Sequence, residues 1–300
     1  MARFIDPRVD WAFKRIFGSE DTKECLITFL NGLFEDELVI KDVTFAKTEK
    51  LGLRPDDRGV VFDVYCVTNE GKHVIVEMQK KEQEYFADRA LYYTARAIVQ
   101  QGVRGIWDYH LAPVYTVCFM DFVLDSPILK KFRTDLVLTD LQTHQRVSDR
   151  MRIVYLQLPL FDKHTEAECM AIFDCWIYIV KNMNMFEQMP FSEKYPVFRK
   201  LAEIGDLRKL SREELELYDE DIKNMRDIYA TRKFDEKRGM EKGMAKGMAK
   251  GMEKGIAKGM EKEKLATAHR LLSMGLSDEQ VSTVTELPLK EIQKMRKKIE

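Results

Sequence analysis

The sequence lacks the features that hold a chain in a membrane or around a metal cluster. It has no uncharged apolar run of 18 residues, which excludes a membrane-spanning helix. Its opening residues, MARFIDPRVDW, contain no continuous apolar segment of the kind that directs secretion. The five cysteines, at 25, 66, 118, 169 and 175, form no CxxC pair, and the five histidines are dispersed, so no structural zinc site is predicted. Scattered thiols in odd number point to a reducing cytoplasm and to buried, inert cysteines. An excess of one charge is also missing. The 49 Lys and Arg residues face 50 Asp and Glu, a net charge of −1. This disfavours a protein held on DNA by overall positive charge, although local patches stay open.

What is present is enough apolar residue, 45% of 300, for a real core in one large domain or two ordinary ones. Residues 7 to 33 read as two helices. DWAFKRIF brings Trp11, Ile16 and Phe17 near one face and stops at Gly18, and DTKECLITFLNGLF starts at an Asp21 cap. LVIKDVTFAKTE, GVVFDVYCV and KHVIVEMQK then read as strands. Residues 82–102 have helical spacing and end at Gly102. PVYTVCFMDFVL and RMRIVYLQLPLF are two more strands, with a polar, weakly patterned piece (130–150) between them. This order predicts one α/β domain over residues 1–165, followed by a helical extension over 166–238.

Residues 239–262, GMEKGMAKGMAKGMEKGIAKGMEK, repeat every four residues as Gly, apolar, variable, Lys. Four exceeds 3.6, so the apolar stripe turns by about 40° per repeat on a straight helix. Each glycine costs about 1 kcal/mol of helix propensity relative to alanine. Residues 239–264 are thus either a linker, mobile or partly helical, or a helix that packs against another copy or tracks phosphates with its lysines. Residues 265–300 read as a small helical unit: a helix ending at MGLS, a second capped by Ser277, and a basic third in LPLKEIQKMRKK. A helix-turn-helix has this outline, and so does a helical cap that binds protein or stabilises an oligomer.

The sharpest signal lies in GVVFDVYCVTNEGKHVIVEMQKKE, residues 59–82. Asn69-Glu70-Gly71 fits a three-residue hairpin loop with Gly in the left-handed position. Centring the hairpin there pairs Thr68 with Lys72 and, counting outward, Asp63 with Glu77. Gln79 projects from the same face as Glu77. The apolar neighbours leave little polar face for two acids, so either they lie on a solvent face after all or a divalent cation holds them together. Mg²⁺ suits such a pair, since it takes few carboxylates and keeps water or phosphate; the Met78 carbonyl is a third donor. On the next helix Arg89, Tyr92, Tyr93 and Arg96 recur at i, i+3, i+4 and i+7. They form either a phosphate-contacting stripe or tyrosines packed on the sheet with arginines reaching outward.

Asp63 and then Glu77-Met78-Gln79 resemble the D…ExK core of the PD-(D/E)XK nuclease superfamily, with Gln in the Lys place. DPRVDWAFKRIFG, VEMQ, YFADRALYYTARAI, the glycine/lysine repeat and LLSMGLSDEQVSTVTELPLKEI extend the likeness over nearly the whole chain. On these the chain resembles the Rpn family of recombination-promoting nucleases, also called PD-(D/E)XK nuclease-family transposases. The resemblance implies a restriction-endonuclease-like mixed central sheet flanked by helices, followed by helical segments and a small helical C-terminal unit. It implies Mg²⁺-dependent DNA cleavage, with Mn²⁺ able to substitute, in recombination or mobile-element biology. Asp63 and Glu77 would hold the metal, and Gln79 would replace the family lysine without its charge. Lys14 on the first helix is the candidate replacement cation, Asp10 matches the acid such a helix often supplies, and on the spacing reading Arg89, Tyr92 and Arg96 are the candidates for substrate contact. A degenerate member that only binds DNA or protein is the alternative, and self-association through the repeat or the C-terminal helices is a third role.

Overall fold

The computed structural model describes residues 3–50, 59–126 and 129–299. The chain forms two compact units, Met1–Met225 and Arg226–Glu300. The first opens with α1 (Asp10–Phe17) and α2 (Lys23–Leu33). Ala12, Phe13, Ile16 and Phe17 make the buried face of α1, which closes at Gly18, whose amide donates to the Lys14 carbonyl. Asp21 caps nothing: it lies in a single 3-10 turn, Glu20–Thr22, ahead of α2.

Among the described residues eight strands follow: β1 (Val43–Phe45), β2 (Glu49–Lys50), β3 (Val60–Val61), β4 (Val64–Thr68), β5 (His73–Gln79), β6 (Val114–Met120), β7 (Arg133–Thr139) and β8 (Arg146–Gln157). Six form one sheet in the order β1-β4-β5-β6-β8-β7, and β2 pairs with β3 apart from it. The centre is parallel, β5 with β6 and β6 with β8, and the flanking pairs are antiparallel. This is a mixed sheet of the restriction-endonuclease-like kind. The parallel step from β5 to β6 needs a crossover, and α3 (Phe86–Val99) supplies it. β7 and the first half of β8 occupy the piece that had no strand pattern. At the sheet edge their side chains are only partly covered, so the alternation that marks a half-buried strand is weak.

The sheet is covered on both faces, which explains its apolar runs. Val74 and Val76 of β5 face the main core with α1, α2, α4 (Ile172–Asn182) and α5 (Pro196–Gly205). There Phe29 packs 4.9 Å from Phe119, and Phe17 lies 5.5 Å from Trp176, centroid to centroid. Ile75 faces the other way, into a smaller cluster with Ala97 of α3. The odd-numbered residues of β5 therefore look toward α3, and Glu77 and Gln79 share that side.

α6 runs from Arg212 to Ser273. Its first turns join the main core through Leu215, Tyr218, Ile222 and Met225. The glycine/lysine repeat is helical throughout. Its apolar residues from Met240 to Met260 are exposed, and a Cβ placed on any of its six glycines would meet nothing within 4 Å. In the second unit α7 (Asp278–Thr285) and α8 (Leu289–Ile299) enclose Ala268, Leu272, Val281, Leu287 and Ile292. Ser277 caps α7 with a reciprocal pair of bonds to Gln280.

The aromatic cluster sets the stability of the first unit. Phe29→Ala is expected to lower it by about 3–5 kcal/mol in chemical denaturation. Leu141→Ala, at an 88% exposed position, stays within about 0.5 kcal/mol.

Candidate active site

The β4–β5 hairpin turns at Asn69-Glu70-Gly71, with Gly71 at φ +77° and the Thr68 amide donating to the Lys72 carbonyl. Its register pairs Val64 with Val76, so Asp63 and Glu77 come next, opposite each other. Here the strand breaks: β3 ends at Val61 and β4 begins at Val64. The amides around the break turn to the acids. Asp63 N–H donates to Glu77 Oε1 at 3.2 Å, and Met78 N–H donates to Asp63 Oδ2 at 2.8 Å. Each carboxylate is thus held by the backbone of the other's strand. The second oxygens, Asp63 Oδ1 and Glu77 Oε2, have no hydrogen-bond partner among the described residues.

Burial raises the Asp63 carboxyl to about 6; the Met78 amide pulls it down, and Asp10 pushes it up. Burial, then the charge of Asp63, lifts Glu77 well above the usual carboxylate range. Two neighbouring acids with raised affinity for protons are also a site with raised affinity for a cation. A single divalent ion fits this donor set, two half-satisfied carboxylates beside the Met78 backbone. Among the described residues there is no group of three or more His, Cys, Asp or Glu side chains placed to hold a metal.

Gln79 is buried and fixed at both ends. Its Nε2 donates to the Lys81 carbonyl at 2.9 Å, and its Oε1 accepts a short bond from Arg89 Nη2. The Arg89 guanidinium lies over the rings of Phe86 and Tyr93, 5.6 Å from each centroid. Its charge bears on both Asp63 and Glu77. The position that lacks a lysine therefore carries a cation from the next helix. Lys14 bonds Asp10 at 2.8 Å, both side chains being substantially exposed. Their charges also reach Asp63. Asp10 does not cap α1, whose N-cap is Val9.

The α3 stripe does not form a single face toward solvent. Arg89 bonds Gln79 and Gln83 and its charge bears on the acids, and Tyr92 is 41% exposed, but Arg96 is buried at 7%. Arg96 therefore presents little surface, unlike Tyr92 in the same stripe. Tyr93 packs edge-on against Phe62.

Two supports of the site carry no motif in the sequence. Asp6 accepts from the Arg8 guanidinium through both oxygens and from Lys80 at 3.1 Å, and Arg8 continues to Asp121 at 3.2 Å. Burial works against the Asp6 charge, but Arg8 and Lys80 hold its carboxyl below the usual range. The network ties the N-terminal segment to the ends of β5 and β6, and it occupies Lys80 on the side of β5 away from Glu77. In addition Asp221 Oδ2, from α6, accepts from Trp11 N–H at 2.8 Å in the first turn of α1. The adjacent residues Asp6-Pro7-Arg8 were the available signal for the first. For the second no local signal exists, because its partners lie 210 residues apart.

The family model described as PD-(D/E)XK nuclease family transposase matches residues 7–233. The chain belongs to this family. No curated protein and no solved structure matches it. The matched span contains the clasped acids, Gln79 and Arg89, and it ends inside α6, before the repeat.

The raised carboxyls make a pH prediction. Unfolded Asp releases its proton near 3.8, whereas Asp63 in the fold holds it to about 6. Between these values the folded state binds more protons, so this pair contributes most stability below about pH 4 and loses it as pH rises. In EDTA, Asp63→Asn should gain melting temperature over the wild type as pH goes from 4 to 7, and Mg²⁺ should narrow the gap. A difference independent of pH would mean that the carboxyl is not held protonated.

Proposed function

We propose that this chain is a divalent-metal-dependent DNA endonuclease that hydrolyses phosphodiester bonds. The observation that carries the reading is the pair of buried carboxylates, Asp63 and Glu77, each clasped by a backbone amide and each with one oxygen left over. Mg²⁺ suits them, because it binds through one or two carboxylates and keeps water and substrate phosphate; Mn²⁺ shares this preference for oxygen. Asp63, Glu77 and the Met78 carbonyl would hold the ion. When bound, it supplies Lewis acidity and a water of lowered pKa.

The remaining residues have separable tasks. Arg89 presents positive charge next to the acids, where negative charge builds on the phosphate oxygens during hydrolysis. Gln79 holds that guanidinium in place and so acts as a positioning residue. Lys14, kept charged by Asp10, is a second cation on the α1 side, and Tyr92 is exposed for backbone contact. The family's transposase description supports a setting in recombination or mobile-element biology. Five buried, free cysteines support a cytoplasmic one.

A degenerate, binding-only member is the other reading, and the missing lysine is its one argument. Arg89 answers it, since a cation stands at the same carboxylates. Asp63→Ala and Glu77→Ala should each abolish Mg²⁺-dependent plasmid nicking while leaving the circular dichroism spectrum unchanged. Nicking at the wild-type rate by either variant would defeat the assignment. Arg89→Ala should slow nicking by about 10²-fold, the scale of removing one transition-state donor. Arg89→Lys should recover part of the rate.

A further inference from the structure

All but the first eight residues of the C-terminal unit, 226–233, lie outside the span matched by the family, and its charge differs from that of the rest of the chain. Residues 226–300 carry 18 Lys and Arg against 12 Asp and Glu, so this unit is basic while residues 1–225 are acidic. We propose that α8 is a duplex-DNA-reading helix, forming with α7 a helix-turn-helix that gives the chain a second, non-catalytic DNA contact.

The turn supports this first. α7 and α8 are joined by three residues, Glu286, Leu287 and Pro288. Glu286 is left-handed at φ +58°, Leu287 is buried in the unit's core, and the Pro288 carbonyl accepts from the Glu291 amide at 2.8 Å. A turn of three to four residues between two packed helices is one feature of the motif, and the α7–α8 turn has this length. The two helices are also locked together. Ser282 Oγ bonds the Leu287 carbonyl at 2.7 Å, and Arg296 reaches back to Asp278 and to the Leu276 carbonyl, both at 2.5 Å.

The outward face of α8 supports it further. Ile292 and Met295 point into the core. Lys290, Gln293, Lys294 and Lys297 are exposed at i, i+3, i+4 and i+7, so they share the opposite face. The three lysines make no ion pair among the described residues. A solvated face would not need this arrangement. Lysines four apart repel, and a cation in the first turn, where Lys290 sits, opposes the helix dipole. The dipole favours Lys297 near the C-terminus but not Lys290. An external anion reconciles them. A recognition helix touches base edges with its N-terminal residues. Lys290, Gln293 and Lys294 are of the types that pair with guanine and adenine in the major groove, and Lys297 then meets phosphate.

The test uses the full chain in EDTA, where no metal-dependent cleavage contributes, with fluorescence anisotropy on a labelled 30-base-pair DNA duplex across a KCl series. Lys290→Gln/Lys294→Gln/Lys297→Gln should weaken binding at least tenfold. It should also make the slope of log K against log salt shallower by about one to three, roughly one for each phosphate no longer neutralised. Lys246→Gln/Lys250→Gln/Lys254→Gln, on the repeat, should change affinity less than twofold. An A-form RNA duplex, whose major groove excludes side chains, should bind at least tenfold more weakly than DNA. Unchanged affinity and slope in the α8 variant, a weakening confined to the repeat variant, or equal binding to RNA would each overturn the proposal. Circular dichroism confirms that the α8 variant keeps its helices. A single Lys294→Glu change should reproduce the weakening if it does not. A wild-type chain that binds duplex through α8 yet never nicks it would remove the nuclease reading and leave this one standing.

Discussion

The site depends on one reciprocal interaction. Where the strand breaks between Val61 and Val64, the amides of Asp63 and Met78 turn to the carboxylates of Glu77 and Asp63. Two acids directly opposite on a ladder should repel. Here each is anchored by a neutral donor from the other strand, which fixes both without neutralising either. Burial then raises their hold on protons, and the same burial raises their affinity for a cation. If the strand ran on unbroken, those amides would be used by the sheet, and the acids would lack their clasp.

The rest of the first unit can be understood as support for that clasp. The mixed sheet, covered on both faces, supplies the low-polarity setting. α3, required by the parallel step from β5 to β6, delivers Arg89 to the α3 side of β5, where Gln79 receives it. Arg89 thus brings positive charge beside a position of β5 that carries none. The Asp6, Arg8, Lys80 and Asp121 network closes the far side of β5. It explains why the lysine next to Gln79 is spent on structure and does not serve the acids.

The two units carry opposite charge balances. The first has a negative balance, and Arg89 sets one of its cations beside the acids. The second has a positive balance and spreads it along helices. A chain with nearly zero net charge thus contains a local basic element, which the overall composition hides. Lys290 stands in the first turn of α8, where the helix dipole disfavours a cation.

Much of this was legible in the sequence because it rests on local rules. The Asn-Glu-Gly turn fixed the hairpin register, and period two then put Asp63, Glu77 and Gln79 on one side. The Ser277 cap and the glycine that ends α1 are equally local. Other features were decided only by tertiary structure. β7 escaped notice because an edge strand is half-covered and its alternation fades. Arg96 looked equivalent to Arg89 by spacing, but packing buried one and left the other at the acids. The repeat could be a helix or a linker on propensity alone. It continues as helix because a helix already nucleated on either side extends without a second nucleation cost. Asp221 reaches Trp11 across 210 residues, and no local pattern encodes that contact. Sequence determined which groups face the same way along one element. Only the assembled fold determined which elements meet, since that depends on contacts between residues far apart in the chain.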